Sequence, residues 1–401
     1  MVPEGWFEGR VSDLVSALEA GVSVNGENRP RKPYEKAVLK VSAVSYGYFD
    51  KNACKVISNE ELKRARINPK AGQIIISRSN TGELVGASAF IEKNYDYLFL
   101  PDKLWQIVPK SHSDMRWLSY ILSSEKLRHA LSHLATGTSG SMKNITKSEL
   151  LSLKIFIPPL PEQKKIARIL STWDKAIETV ERLIENSKTQ KKALMQQLLT
   201  GKQRLPGFEE KWEKTYLEDM TNITMGSSPN SDFYNDVGNG LPLIQGNADI
   251  KDRKSAPRIH TSKITKTCSK GDILLSVRAP VGAVAISMHD ACIGRGIASI
   301  SEKNKLPLSF VYQLLIAFES KWVQLSQGST FDAVNSKDIK KLKIAIPLSK
   351  KEQQRIAVVL STADKETKTL QQKLNCLKQE KNALMQQLLT GKRRVKVNVD
   401  G

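Results

Sequence analysis

Between Ile166 and Leu198 the apolar side chains recur on alternating steps of four and three: Ile166, Leu170, Trp173, Ile177, Val180, Ile184, Leu194 and Leu198. The same spacing returns at Ile356, Leu360, Ala363, Leu370, Leu374, Leu377, Leu384 and Leu388. A seam with a period near 3.5 residues predicts a helix that buries one stripe against another helix, as in a coiled coil. Prolines mark the starts, Pro158, Pro159 and Pro161 in the first and Pro347 in the second, and Gly201 and Gly391 stop them. Each helix then runs for about 40 residues, roughly 60 Å. Ser187 and Lys191 interrupt the first seam, Thr367 and Lys381 the second. Polar residues in a seam lower stability but fix register and partner.

The two helices belong to an internal repeat, the feature that decides the architecture. ALMQQLLTGK stands unchanged at Ala193 to Lys202 and again at Ala383 to Lys392. Upstream, LKIFIPPLPEQKKIARILSTWDK from Leu153 matches LKIAIPLSKKEQQRIAVVLSTADK from Leu342, with one residue inserted between Pro347 and Glu352. Before each helix lies a segment of strand-like texture. Gly72 to Ser77, GQIIIS, corresponds to Gly271 to Ser276, GDILLS, and second apolar strands end near Ala89-Phe90-Ile91 and Ala283 to Ile286. Short apolar runs bounded by Gly and Pro read as strands, with helices near Trp117 to His133 and Phe310 to Leu325. The expected fold class is α+β (mixed α/β): two β-rich globular domains, two long antiparallel coiled-coil helices and an internal pseudo-twofold repeat. The boundaries fall at 1–155 for the first domain, 156–202 for the first helix, 203–345 for the second domain, 346–395 for the second helix and 396–401 for a tail. A pseudo-twofold further implies a globular domain at each end of the helix pair, with Arg394 beside Val2 and Pro3.

Charge adds a partner class. Sixty-two Lys and Arg against 41 Asp and Glu give +21 and a pI near 9.7, which suggests a polyanion such as nucleic acid. A composition 40% hydrophobic and 26% charged is that of a globular chain. No apolar run approaches the length of a membrane helix, and MVPEGWFEGR has no secretory features, so the expected compartment is the cytoplasm. Cys54, Cys268, Cys292 and Cys376 lie far apart and read as small apolar side chains rather than a zinc or disulfide framework.

Catalytic signatures are missing from the sequence. The TGK sequences ending at Lys202 and Lys392 lack the upstream glycine and following Ser or Thr of a phosphate-binding loop. No Asn/Asp-Pro-Pro-Tyr/Phe stretch of an amino-methyltransferase occurs, Pro101-Asp102-Lys103 reads as a turn, and Gly294 with Gly296 is a lone glycine pair. The histidines show no metal spacing. No catalytic, cofactor-binding or metal-binding residue is therefore assigned.

The paired IP...PEQ/KEQ-x-x-IA...LST-x-DK helices ending in LLTGK-[QR]-R, with GDILLS-x-R...VG and CIGRGIASI, resemble the specificity subunit of type I restriction-modification systems over essentially the whole chain. That resemblance implies a non-catalytic subunit of a methyltransferase and ATP-dependent endonuclease complex. Its globular parts would be target recognition domains, each reading one half of a bipartite, asymmetric site in double-stranded DNA. The helices would set the spacing and dock two methyltransferase subunits, and restriction/translocase subunits would join. S-adenosylmethionine, ATP and Mg would be bound by those partners and none by this chain. A type IIB-like fused methyltransferase-nuclease is a close alternative partner, and a coiled-coil scaffold binding proteins or RNA is one of a different class.

Base edges are read by Arg, Lys, Asn and Gln on loops, and phosphates by Lys, Arg, Ser and Thr. In the first domain the candidates are Tyr46, Tyr48, Lys51, Arg78, Ser79, Asn80, Thr138, Ser139 and Lys143. In the second they are Gln245, Asn247, Lys251, Arg253, Arg278, Arg295, Gln327, Ser329 and Thr330. Arg78 and Arg278, just after matching strands, stand out. On the helices, Gln196, Gln197, Gln386 and Gln387 are polar, beside the seam and identical in both copies, which points to a partner contact. Glu162-Gln163 and Glu352-Gln353 are expected to cap the first turns.

Overall fold

The computed structural model describes residues 2–137, 142–303, 306–326 and 333–397. The chain divides into two compact units, one of Met1–Val180 with Lys373–Gly401 and the other of Glu181–Gln372. Each unit therefore holds one β-rich domain, one end of the first long helix and the opposite end of the second. The helices span Leu160–Leu198 and Lys350–Leu388.

In the first unit the central sheet runs Ser88–Phe90, Ile74–Ser77, Leu104–Pro109, Val15–Ala20, all antiparallel. A second sheet orders Leu98–Phe99, Ala37–Leu39, Cys54–Ile57 and Gly26–Glu27. Ile74 and Ile76 point into a core with Trp6, Trp117, Ile166 and Leu170, while Ile75 points into another with Leu39, Leu98 and Leu104. With both faces covered, the strand reads as an unbroken apolar run rather than an alternating one. The helix Met115–Ser123 starts at Asp114, whose carboxylate accepts the Trp117 N–H at 2.8 Å. A second helix, Glu125–Leu134, follows it.

The second unit repeats this plan. Val284–Ile286, Ile273–Ser276, Ile297–Glu302 and Thr221–Met225 stand in the same order, extended at the Val284–Ile286 side by Lys254–Ser255 and Ile250–Lys251. Ile273 and Leu275 enter the core with Trp322 and Ile356, and Leu274 enters the one with Ile244 and Ile293. Each domain is also closed by an antiparallel pair that joins its beginning to the strand before its long helix: Phe7–Arg10 with Lys154–Ile157, and Trp212–Tyr216 with Lys343–Pro347.

Within each unit the two helix segments run antiparallel, and every seam position predicted from the spacing is buried or half-buried. In the first unit Lys381 Nζ reaches Asp174 Oδ1 at 2.5 Å, and the Tyr120 hydroxyl donates to Asp174 Oδ2 at 2.5 Å. In the second, Lys191 Nζ reaches Asp364 Oδ1 at 2.5 Å, and Gln313 Nε2 donates to Asp364 Oδ2 at 3.1 Å. The aspartate of each LST-x-DK motif thus ties its own long helix to a domain helix and to the other long helix. Ser187 and Thr367 meet at 2.8 Å, so the two hydroxyl interruptions of the seam satisfy one another while the two lysines take the aspartates.

The capping expectation needs correction. Glu162 lies in the first turn, but its carboxylate accepts Arg394 Nε and Nη2, both at 2.8 Å, and the Trp6 indole N–H at 2.9 Å. Glu352 likewise accepts Arg204 Nε and Nη2, both at 2.7 Å. The arginine fork gives each of these buried carboxylates a charge-assisted hydrogen bond on both oxygens. Gln163 Nε2 donates back to the Pro158 carbonyl at 2.9 Å, and its Oε1 accepts the Asp114 N–H at 2.9 Å. In the second domain the residue before the corresponding helix is Pro307, which has no N–H to give, and Gln353 Oε1 is buried with no partner among the described residues. The helix-end expectation is met two residues along: Gly391 lies on Pro3, and Arg394 Nη1 bonds the Glu4 carbonyl.

Candidate nucleic-acid interface

The second domain carries a polar cleft of about 510 Å³. Four candidates line it, Gln245, Asn247, Arg278 and Arg295, together with Ser228, Asn230 and Tyr234. These come from turns remote in sequence. Arg295 sits at the tip of a glycine-flanked turn closed by the Ile297 N–H on the Gly294 carbonyl at 3.0 Å, and Gln245 and Asn247 flank Gly246 after the strand Leu241–Ile244. Arg278 follows Ile273–Ser276 and forms an isolated bridge with Ala333. Arg278 and Arg295 are exposed, and neither pairs with a carboxylate among the described residues. Two unpaired guanidinium groups above neutral amides and hydroxyls suit an anionic, hydrogen-bonding ligand.

Lys251 and Arg253 are not gathered there. Lys251 is exposed on the edge strand Ile250–Lys251. Arg253, at φ 59°, gives Nη1 and Nη2 to the Glu319 carboxylate at 2.6 and 2.9 Å. That bond holds its pKa above the ordinary arginine value and commits the side chain to bracing the sheet against the helix Leu308–Ser326. Gln327, Ser329 and Thr330 lie outside the described residues.

The first domain has a cleft of about 480 Å³ lined by Arg78, Asp102, Trp105, Thr136, Asn144 and Lys147 among others. Arg78 is engaged there, donating through Nε to the Asp102 carbonyl at 3.0 Å with the Asp102 carboxylate at 3.8 Å. Ser79 and Asn80 pair with Asn144 and Lys143 as a short ladder beside it, Ser79 being buried. The Tyr46 hydroxyl donates to the Glu83 carbonyl at 2.8 Å, and the Arg128 guanidinium lies 3.7 Å from its ring centroid. Tyr48, on the short strand Tyr48–Phe49, and Lys51, in the turn after it, are exposed and do not line this cleft. Thr138 and Ser139 lie outside the described residues.

The two arginines do not occupy equivalent positions. The Arg78 N–H bonds the Lys103 carbonyl at 3.0 Å and its own carbonyl accepts Ile145 N–H; the residue with the same two bonds in the second domain is Val277, to Gly296 and from Val334. Arg278 is one residue further on, matching Ser79. Sequence reading missed Ser228, Asn230 and Tyr234; the turn-rich run GSSPN, Gly226 to Asn230, which contains the first two and precedes the third, is the signal that marks a loop.

Gln196, Gln197, Gln386 and Gln387 are all exposed, and the burial of the ten-residue repeat is the same in both copies. Leu198 and Leu199 enter the core of the second unit, Leu388 and Leu389 that of the first. Gly201 and Gly391, at φ 70° and 69°, end each helix in the left-handed conformation. Among the described residues no group of three or more His, Cys, Asp or Glu could hold a metal ion, and no helix is long and apolar enough to cross a membrane.

Tandem β-rich domains of one strand order, each braced by antiparallel segments of two long helices, define a class of protein. The chain belongs to the type I restriction modification DNA specificity domain family, whose profile matches residues 3–186 and 209–379, one match for each repeat. It is 32% identical to a chain from Methanocaldococcus jannaschii described as the type I restriction enzyme MjaX specificity subunit, over 98% of this chain and 95% of that one. A solved structure concerned with complex assembly and conformational transition of the type I R-M system aligns with TM-score 0.63 and 25% identity over 98% of this chain and 100% of that one. The HsdS subunit of Thermoanaerobacter tengcongensis aligns with TM-score 0.52 and 25% identity, covering 98% of both.

Proposed function

We propose that this specificity subunit is non-catalytic and directs a type I restriction-modification complex to a bipartite, asymmetric DNA site, each β-rich domain reading one half. One observation carries the reading: the domains share a strand order but present unlike clefts, while the helix ends stay identical in sequence and burial. Unlike clefts suit unlike half-sites, and identical helix surfaces suit two copies of one partner. That partner is a methyltransferase subunit, with the four exposed glutamines in its footprint. Restriction/translocase subunits complete the complex in the cytoplasm, and S-adenosylmethionine, ATP and Mg bind to those subunits. Half-sites reached from one face of B-DNA lie about one turn, ~34 Å, apart or a multiple of it.

The test is selection of duplexes from a randomised library by the chain with its methyltransferase. Enrichment of two short motifs at fixed spacing is expected, with affinity falling steeply as salt rises because phosphate contacts release counterions. A library that returns no bipartite motif would sink the proposal.

A further inference from the structure

The turns that wall the second-domain cleft are fastened to each other independently of any ligand. Gly294 N–H donates to the Ile244 carbonyl at 2.8 Å and Gly296 N–H to the Gln245 carbonyl at 3.2 Å. A Cβ on Gly296 would stand 2.3 Å from the Gln245 carbonyl oxygen, and one on Gly226 would stand 2.2 Å from that of Gly294. Only glycine lets these backbones approach so closely. Between the two clamped glycines, the Arg295 N–H is held by Ser228 Oγ at 3.1 Å. The Gln245 turn has its own fastening. Asp249, 2% exposed, accepts the Gln245 N–H at 2.8 Å through Oδ2 and Arg258 Nε at 2.9 Å through Oδ1.

The arrangement fixes a backbone, and the guanidinium it carries is exposed and unpaired among the described residues. A solubilising charge has no need of such a mount. Base readout does, because a planar fork must meet two acceptors in one plane, and a preset backbone lowers the ordering cost. Guanine O6 and N7 in the major groove are the acceptor pair that fits an arginine fork. Arg253 shows the contrast, its fork being filled by Glu319.

Resting on the function proposed above, we propose that Arg295 reads a guanine in the half-site of the second domain, with Asp249 and Arg258 as positioning residues that hold the adjoining turn. The experiment uses the full chain with its methyltransferase and duplexes randomised across both half-sites. Arg295→Ala should lower preference at one G·C pair of one half-site by roughly tenfold to a hundredfold, leaving the other half-site unchanged. Arg295→Lys should keep part of that preference, since lysine donates without the fork. Arg258→Ala should relax the same base pair to a smaller extent and Arg258→Lys should restore it, whereas a merely structural role would lower thermal stability without singling out a base. The intact preference of the first domain reports that each variant is folded and assembled. Uniform weakening across all sequences, or altered preference in both halves or in neither, would overturn the assignment. A wild-type chain that selects no bipartite site would overturn the functional reading together with it.

Discussion

Glu162 and Glu352 are 3% and 0% exposed, and each is neutralised by an arginine that follows a helix end. Their surroundings differ in one donor. Trp6 gives its indole N–H to Glu162, whereas the Trp212 indole N–H is buried with no partner among the described residues. Glu352 therefore depends more heavily on Arg204 than Glu162 does on Arg394. Removing one member of a fully buried ion pair costs about 3–5 kcal/mol, and partial exposure of the arginines lowers that. Arg394→Ala should cost about 2 kcal/mol and Arg204→Ala about 3 kcal/mol, read as lost hydrogen-exchange protection in Phe7–Arg10 and Trp212–Tyr216 respectively. The reverse order would refute the argument. Tyr120 adds a pH dependence. Burial, and then its hydrogen bond to Asp174, raise its pKa above the ordinary tyrosine value of 10.0. The folded state favours the neutral phenol, so this contribution is complete below pH 10.0 and declines as pH rises beyond it. Tyr120→Phe should flatten the alkaline loss of stability in the first unit while costing about 1 kcal/mol at neutral pH for the lost hydrogen bond. An unchanged alkaline slope would show that Tyr120 does not cause it.

The long helices were the most legible elements, because a 3.5-residue period sustained over several turns admits few other structures. Their partner was legible too, since each seam needs a partner of equal length and the other copy supplies one. What the spacing could not show is how the polar seam positions are matched. Ser187 pairs with Thr367, while the repeat puts apolar Leu377 and Ile177 at the corresponding places in the first unit. Changing Ser187→Leu with Thr367→Ile should therefore raise the stability of the second unit. Two further buried apolar side chains are worth about 1.5–3 kcal/mol each before packing strain. Denaturant melts measure the gain, and a loss would mean that the hydroxyl pair fits a space too narrow for the larger side chains. The strands Ile74–Ser77 and Ile273–Ser276 were legible for a different reason: both faces are covered, so the apolar run is continuous. The clefts were only partly legible. Gln245, Arg278 and Arg295 come together only after two strand pairs form, Leu241–Ile244 with Ala291–Ile293 and Ile273–Ser276 with Ile297–Glu302, and no local pattern distinguishes Arg295 from Arg253, whose fork is filled by a glutamate 66 positions away.

The whole molecule is organised in units that do not follow the order of the chain. The first unit closes only when residues from Lys373 onward return to it. Leu384, Met385, Leu388, Leu389 and Val395 pack against the core containing Trp6, Ile166 and Leu170, and Arg394 neutralises Glu162. The second unit draws its residues from one continuous stretch, Glu181–Gln372. Ending the chain at Gln372 should therefore separate the two. Losing Leu388 and Leu389 alone forfeits about 1.5–3 kcal/mol each, and the unpaired Glu162 adds to that. The total is comparable to the 5–15 kcal/mol that holds an average domain together. The truncated chain should show protection of Ile273–Ser276 against hydrogen exchange and loss of it at Ile74–Ser77, with limited proteolysis clearing the first domain. A peptide of residues 373–401 added in trans should restore protection at Ile74–Ser77, because it resupplies the missing helix face, both leucines and the arginine. Equal protection of both strands in the truncated chain would mean that the first domain's own sheet suffices, and that its dependence on the returning helix is wrong.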